Sequence, residues 1–292
     1  MMELKHTATR AGRLSSFLRE ELGLSIGLMN RLKWQDKLFV NGVPRHADYP
    51  IAPGDVITVP LEEPEPEYPA QDGPLTIIYE DEHLLAVDKP AGMLIHPSHS
   101  RLTDTLANYV LGYYQKQGQR SAFHPLTRLD RDTFGIVLLA KNAHIHARLS
   151  ASPIEKTYLA LVYGQVSGDM TIDAPIARLP LPSLLRQVDP TGKPCTTHLR
   201  VLQTGTHCTK VALTPVTGRT HQLRVHCAHV GHPILGDPQY GTAASQAYSL
   251  ELGLQHQQLC AASLQFPHPV TGQTMLLSST LTTRQIPCGE CL

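Results

Sequence analysis

The sequence predicts an α+β fold, and three observations carry the prediction. From Leu75 onward the chain is dominated by short apolar runs that end in Gly, Pro or Asn turns. Helical periodicity is confined to a few insertions among them. Strands and helices do not alternate in the order that a parallel βαβ sheet requires. The 292 residues suffice for one full core and a smaller unit ahead of it.

The smaller unit is residues 1–60. Leu14, Phe17, Leu18 and Leu22 recur at spacings of three and four, which predicts an amphipathic helix over 13–24 closing near Gly23. Ser25 is placed to cap a second helix, 26–34, that carries Arg31 and Lys33. Residues 37–42 predict a strand entering an Asn41-Gly42 turn, the strongest short-range hairpin signal. Residues 55–59 predict a closing strand after Pro53-Gly54.

Residues 61–74 form an acidic, proline-rich linker, in which prolines stiffen the chain and like charges extend it. The unit ahead of it is expected to swing relative to the body. In the body, 75–285, strands are predicted at 75–79, 84–88, 135–140 and 155–166. Hairpins are predicted from 199–203 with 210–214, through Thr204-Gly205, and from 259–266 with 274–279, through Gly272. Helices are predicted at 104–114, after the cap Asn142, and at 220–230 before Gly231. Residues 286–292 are a tail.

Composition narrows the function classes. Lys and Arg total 25, as do Asp and Glu, so formal net charge is zero. Eight acids and no basic residue fall within 61–82, which leaves 25 basic against 17 acidic residues elsewhere. That body is moderately basic and compatible with RNA. The first residues lack the apolar core of a signal peptide, and no apolar run is long enough to span a bilayer. The six scattered cysteines read as reduced thiols, so a cytoplasmic protein without membrane contact is expected. Cys288 and Cys291 have metal-ligand spacing but no second pair, and read as tail. His226 and His229 share a helical face without an HExxH arrangement, so no metal is expected.

Two segments carry chemistry. Arg128-Leu129-Asp130-Arg131-Asp132-Thr133 puts a carboxylate on a charged turn before an apolar strand. By itself such a group is a general base, a nucleophile or a turn cap. Asp132, two residues on, either pairs with Asp130 or caps the turn into Thr133. Gly218-Arg219-Thr220-His221-Gln222-Leu223-Arg224 opens a helix with two arginines, a histidine and a glutamine. Lys89, leading into Pro90-Ala91-Gly92, is a structural group or a phosphate contact, and Tyr158 by default is a core tyrosine on a strand.

Together with Asp88–Pro97, Lys156-Thr157-Tyr158, Gly192-Lys193-Pro194 and Gly231–Asp237, in that order, these segments resemble the RluA-type RNA pseudouridine synthases over about residues 75–285. Residues 13–60 are similar to the alpha-L RNA-binding domain named for a ribosomal protein. The resemblance implies a pseudouridine synthase fold with a mixed, largely antiparallel sheet. It implies Asp130 as the catalytic aspartate and Arg224 as its partner, with neither metal nor organic cofactor. Tyr158 would stack on the target uracil, and Arg128 would enter the space left by the flipped nucleotide. Arg219, His221, Gln222 and Lys156 are expected to contact RNA, with Arg31, Lys33 and Lys37 from the first unit. The expected partner is RNA, ribosomal foremost with transfer RNA open, acted on by a monomer. Thr127, Phe134 and Cys260 depart from the family pattern, and place the support of the aspartate loop in question. A non-catalytic RNA-binding protein of the same fold, and a hydrolase releasing uracil, are the rival readings.

Overall fold

A computed structural model describes residues 2–24, 26–61, 63, 65–98, 101–180 and 182–281. Ser25, Cys288 and Cys291, and with them the cap and tail readings, lie outside the described residues.

Residues 2–61 fold around their own core, in which Leu14, Phe17 and Leu18 of the helix Leu14–Glu20 pack on Leu32, Ile57 and Val59. The second helix is Ile26–Trp34. A four-stranded antiparallel sheet runs in the order Met2–Thr7, Val56–Leu61, Phe39–Val40, Val43–Pro44. Asn41 and Gly42 take φ of 51° and 77°, as a two-residue hairpin turn with the matching twist needs. The Asn41 amide also ties the turn to the neighbouring strand, accepting from Val56 N–H and donating to Asp55, both at 2.8 Å. The strand Met2–Thr7 was not expected. It is an edge strand in which Leu4 packs on the core among charged and polar neighbours, so alternation is faint.

The linker is docked on the body along much of its length. The Glu63 carboxylate accepts from the backbone N–H of Ala143 at 2.8 Å and pairs with His124, and these contacts hold its pKa down against the effect of burial. Gln71 N–H donates to Asn108 O at 3.0 Å, and Gln71 exchanges two side-chain hydrogen bonds with Asp104. Gly73 lies against the ring of Tyr109 so closely that a Cβ would overlap it. The extended backbone agrees with the composition, whereas the expected free swing does not suit these contacts.

The body is built on a ten-stranded sheet. Its main path runs Met170–Asp173, Thr196–Thr204, Cys208–Pro215, Glu155–Tyr163, Leu259–Pro267, Phe134–Ala140, Leu84–Lys89, Thr76–Glu80. Thr274–Ser278 and His124–Pro125 pair at its sides. All pairings are antiparallel except Phe134 and Gly135 against Cys260 and Ala261, which makes the sheet mixed, as expected. Helices Leu106–Lys116, Ala143–Ser150 and Gln222–His229 pack around it, the first two capped by Thr105 and Asn142. The helix Ala243–Glu251 was missed, because it is polar and buries Ser245 and Ser249 in place of a leucine stripe. The small hairpin Ile176–Arg178 with Arg186–Val188 was missed because each strand is three residues long.

Candidate active site

The parallel contact in the sheet positions the turn that carries Asp130. Gly135 follows that turn with φ of 107°, and a Cβ there would lie 2.8 Å from Ala261 N and nearer still to its carbonyl oxygen. A residue with no side chain is what lets the two strands meet.

The turn 127–133 is fixed from several sides. Leu129 is buried in the core, and Thr127 Oγ1 accepts from Leu138 N–H at 3.0 Å. Thr133 N–H donates to the Asp130 backbone carbonyl at 3.2 Å, and Gln257 Nε2 donates to the Thr133 hydroxyl. Lys89 is 0% exposed, and its ammonium donates at 2.9 Å to the carbonyls of Pro90, Met93 and Arg131. Three acceptors match its three protons. Burial pulls its pKa to about 7, opposed by the carboxylates of Asp132 and Asp130. Lys89 thus takes the structural role of the two that the sequence allowed. The departures Thr127, Phe134 and Cys260 leave the turn supported: Thr127 supplies a strand acceptor, while Phe134 and Cys260 are buried in one apolar cluster.

Asp132 corrects a sequence expectation. It neither caps Thr133 nor pairs with Asp130. Its carboxylate is bound by Arg131 at 2.9 Å and faces His256 Nδ1 at 3.1 Å.

Asp130 is left partly open, with Arg224 Nη1 donating to its Oδ2 at 3.0 Å. The Arg224 side chain is 6% exposed. Its Nε and Nη2 donate to both oxygens of Asp237, at 2.7 and 2.8 Å, and Nη2 also donates to Gln239 at 2.7 Å. Such a bidentate pair fixes the guanidinium plane. The Tyr240 ring stacks with its centroid 4.9 Å from Arg224 Cζ. The two carboxylates raise the Arg224 pKa despite burial, so it stays cationic.

Sequence reasoning missed Asp237, Gln239 and Tyr240 as site residues. Asp237 ends the motif Gly231–Asp237, but nothing in the spacing assigned it a partner thirteen residues back. Its carboxylate is wholly buried, and only the fold shows what it neutralises.

Tyr158 reaches the same place from the strand Glu155–Tyr163. A bulge between Thr157 and Tyr158 shifts the register on Leu259–Pro267, where such irregularities re-aim side chains. Its phenol pKa is driven well above the usual value by burial and then by the Asp130 charge, so the hydroxyl stays neutral. Lys156 lies two residues away on the same face of the strand, partly buried, and burial lowers its pKa. Arg128 is exposed and has no ion pair among the described residues.

The remaining expected RNA contacts divide. His221, at φ of 57°, faces inward: Nδ1 lies 2.8 Å from the Tyr240 hydroxyl and Nε2 3.9 Å from Asp130 Oδ2. Burial lowers its pKa, while Asp130 opposes that shift. Gln222 is corrected. It is 4% exposed, its carbonyl accepts from Thr217 and from Arg219 N–H, and its amide donates to Thr196 O and the Thr197 hydroxyl. Those bonds staple the loop and leave no free atom for RNA. Arg219 is exposed, with one long contact to Pro194 O at 3.4 Å. Arg31, Lys33 and Lys37 belong to the first unit, Arg31 and Lys33 exposed and Lys37 partly buried. His226 uses both ring nitrogens within the protein, on Thr197 and Ala174 O. No helix among the described residues is long and apolar enough to cross a membrane.

This constellation holds a partly open carboxylate, clamped by a buried guanidinium, beside a neutral aromatic ring. Comparison with known proteins identifies the chemistry it belongs to. A family model described as RNA pseudouridylate synthase matches residues 83–229. The uncharacterized RNA pseudouridine synthase YjbO of Bacillus subtilis is 37% identical over 269 residues, covering 89% of this chain and 93% of that protein. The chain is an RNA pseudouridine synthase. Ribosomal large subunit pseudouridine synthase C of Vibrio vulnificus is 34% identical over 301 residues, with 96% and 90% covered. Among solved structures, Human RNA Pseudouridylate Synthase Domain Containing 1 aligns with a TM-score of 0.58 at 27% identity, over 72% of this synthase and 84% of that chain.

Proposed function

We propose that this synthase converts uridines of large-subunit ribosomal RNA to pseudouridine through Asp130, and that the observation carrying the assignment is the buried Arg224 clamp on Asp130 Oδ2. The ribosomal substrate is supported by the names of relatives similar over most of the chain. Asp130 is partly open and held by one cation through Oδ2, and its other oxygen has no bond among the described residues. That oxygen can attack C1′ of the flipped uridine or take the C2′ proton to leave a glycal. By either route the C1′–N1 bond breaks and its electron pair leaves on uracil. The ring turns and C5 bonds to C1′, either as the aspartyl ester bond to C1′ breaks or as the glycal C2′ regains its proton from Asp130. The C5 proton then departs and N1 takes one up. Tyr158 holds the base during the turn, being neutral and rigid. Arg128 enters the stack that the nucleotide leaves, and Lys156 and Arg219 neutralise phosphates beside it. Water must be kept from the detached intermediate, or an abasic site and free uracil result.

In the same reading residues 1–60 are an RNA-binding domain joined by 61–74 to the catalytic domain, and the enzyme acts as a cytoplasmic monomer. One chain carries both the basic appendage and a complete Asp130 site, which supports the monomer. Purified Asp130→Asn is expected to form no pseudouridine while binding RNA within a few-fold of the parent. Normal turnover by that variant would overturn the assignment, and stoichiometric uracil release by the parent would favour a hydrolase.

A further inference from the structure

The helix Ile26–Trp34 ends on an indole that the fold does not cover. Trp34 is 88% exposed, and Ile26, two turns earlier on the same face, is 63% exposed. Asn30 and Arg31 lie one turn before Trp34, at the spacing where helical side chains are neighbours, and Lys33 adjoins it. Asn30, Arg31 and Lys33 are all exposed, and no carboxylate pairs with either cation among the described residues. The nearest acid in sequence is Asp36, exposed past the helix end. Three other cations of this unit are engaged within it: Arg10 binds Glu20 and Glu21, Lys5 pairs with Glu3, and Arg45 stacks on Tyr49 at 4.5 Å.

A bare indole flanked by unpaired cations suits one ligand class better than another. A second protein copy would bring the same cations together across the interface, or bury them unpaired. Single-stranded nucleic acid meets both needs, since any base stacks on an aromatic face and its phosphates neutralise the cations. Paired duplex hides its base faces, so the ligand is a bulge or loop.

We infer that Trp34 is a stacking platform for an unpaired base of the RNA, with Arg31 and Lys33 on the flanking phosphates. This rests on the RNA-binding reading of residues 1–60 and adds a specific contact to it. Trp34 is the sole tryptophan of the chain, so indole emission from the full-length protein reports on this one position. The probe is an RNA hairpin with a single purine bulge, compared with the same hairpin fully paired.

The bulged RNA should quench the emission and bind more tightly than the paired one. Trp34→Ala should weaken that binding by about five-fold or more, and Trp34→Phe should retain most of it. The salt slope should survive Trp34→Ala, which removes no charge, and become shallower in Arg31→Ala or Lys33→Ala. Trp34 is solvent-exposed, so an unchanged unfolding midpoint in Trp34→Ala separates lost stacking from lost fold. Constant emission at saturation, with Trp34→Ala affinity within about two-fold of the parent, would overturn the inference. Salt-dependent binding and pseudouridine formation persisting in that case would leave the RNA-binding reading standing. An emission shift that grows with protein concentration without RNA would put a second copy on this face and also overturn it.

Discussion

The Asp130 carboxylate is positioned by a chain of neighbouring side chains. Its orientation is set by Arg224, and Arg224 is set by Asp237, Gln239 and the Tyr240 ring. Neutralising the far end should therefore reach the chemistry. Asp237→Asn removes the buried charge that compensates the guanidinium, at a cost of up to about 3–5 kcal/mol in unfolding free energy. On the role proposed for Asp130, turnover should fall with RNA affinity nearly unchanged, because the Asp237 side chain is wholly buried. Urea unfolding and single-turnover kinetics on the same variant check both halves. His144 gives a residue-scale pH dependence. It is buried at the start of the helix Ala143–Ser150, and burial drops its pKa to about 4 from the ordinary 6.5. Below pH 6.5 the unfolded chain takes up a proton that the native state refuses. Stability due to this group is thus complete above 6.5 and is lost as pH falls toward 4. His144→Leu should flatten that part of the stability profile, measured by denaturation at a series of pH values.

At the scale of elements, the decisive feature is the short parallel pairing between Phe134–Ala140 and Leu259–Pro267. It anchors the far end of the aspartate turn, while the antiparallel bulge on the same strand directs Tyr158. Gly135→Ala would force a side chain into a backbone conformation that costs about 1–3 kcal/mol. The overlap with the Ala261 backbone would add to that. The variant should melt earlier and lose turnover by displacing Asp130, whereas Gly118→Ala, with open space around its Cβ, should change turnover little. Thermal unfolding alongside pseudouridine yield separates the two effects.

Across the whole molecule, the two units are joined by a linker whose Glu63 and Gln71 are fastened to the body. Gly23 of the first unit also lies beside the Arg148 side chain. The first unit is thereby presented at a defined place. Deleting residues 1–60 should weaken RNA binding and flatten its salt dependence by about 0.7–0.9 of a log unit for each phosphate no longer neutralised. Filter binding over a salt series tests this; an unchanged slope would remove the appendage from the binding surface.

Much of the fold was legible in the residues alone, because strand runs, Asn-Gly and Gly turns, and the Thr105 and Asn142 regions are local signals that tertiary packing did not need to overrule. Ordered motifs singled out Asp130, Arg224 and Tyr158, and the fold brings these three groups to one place. Partnership was not. The burial of Gln222, the diversion of Asp132 to Arg131 and His256, the burial of Lys89 under three carbonyls and the Asp237 clamp all join groups through space. Sequence determines which donors and acceptors exist. Which of them lose water, and must find one another, is decided only when the sheet closes over them.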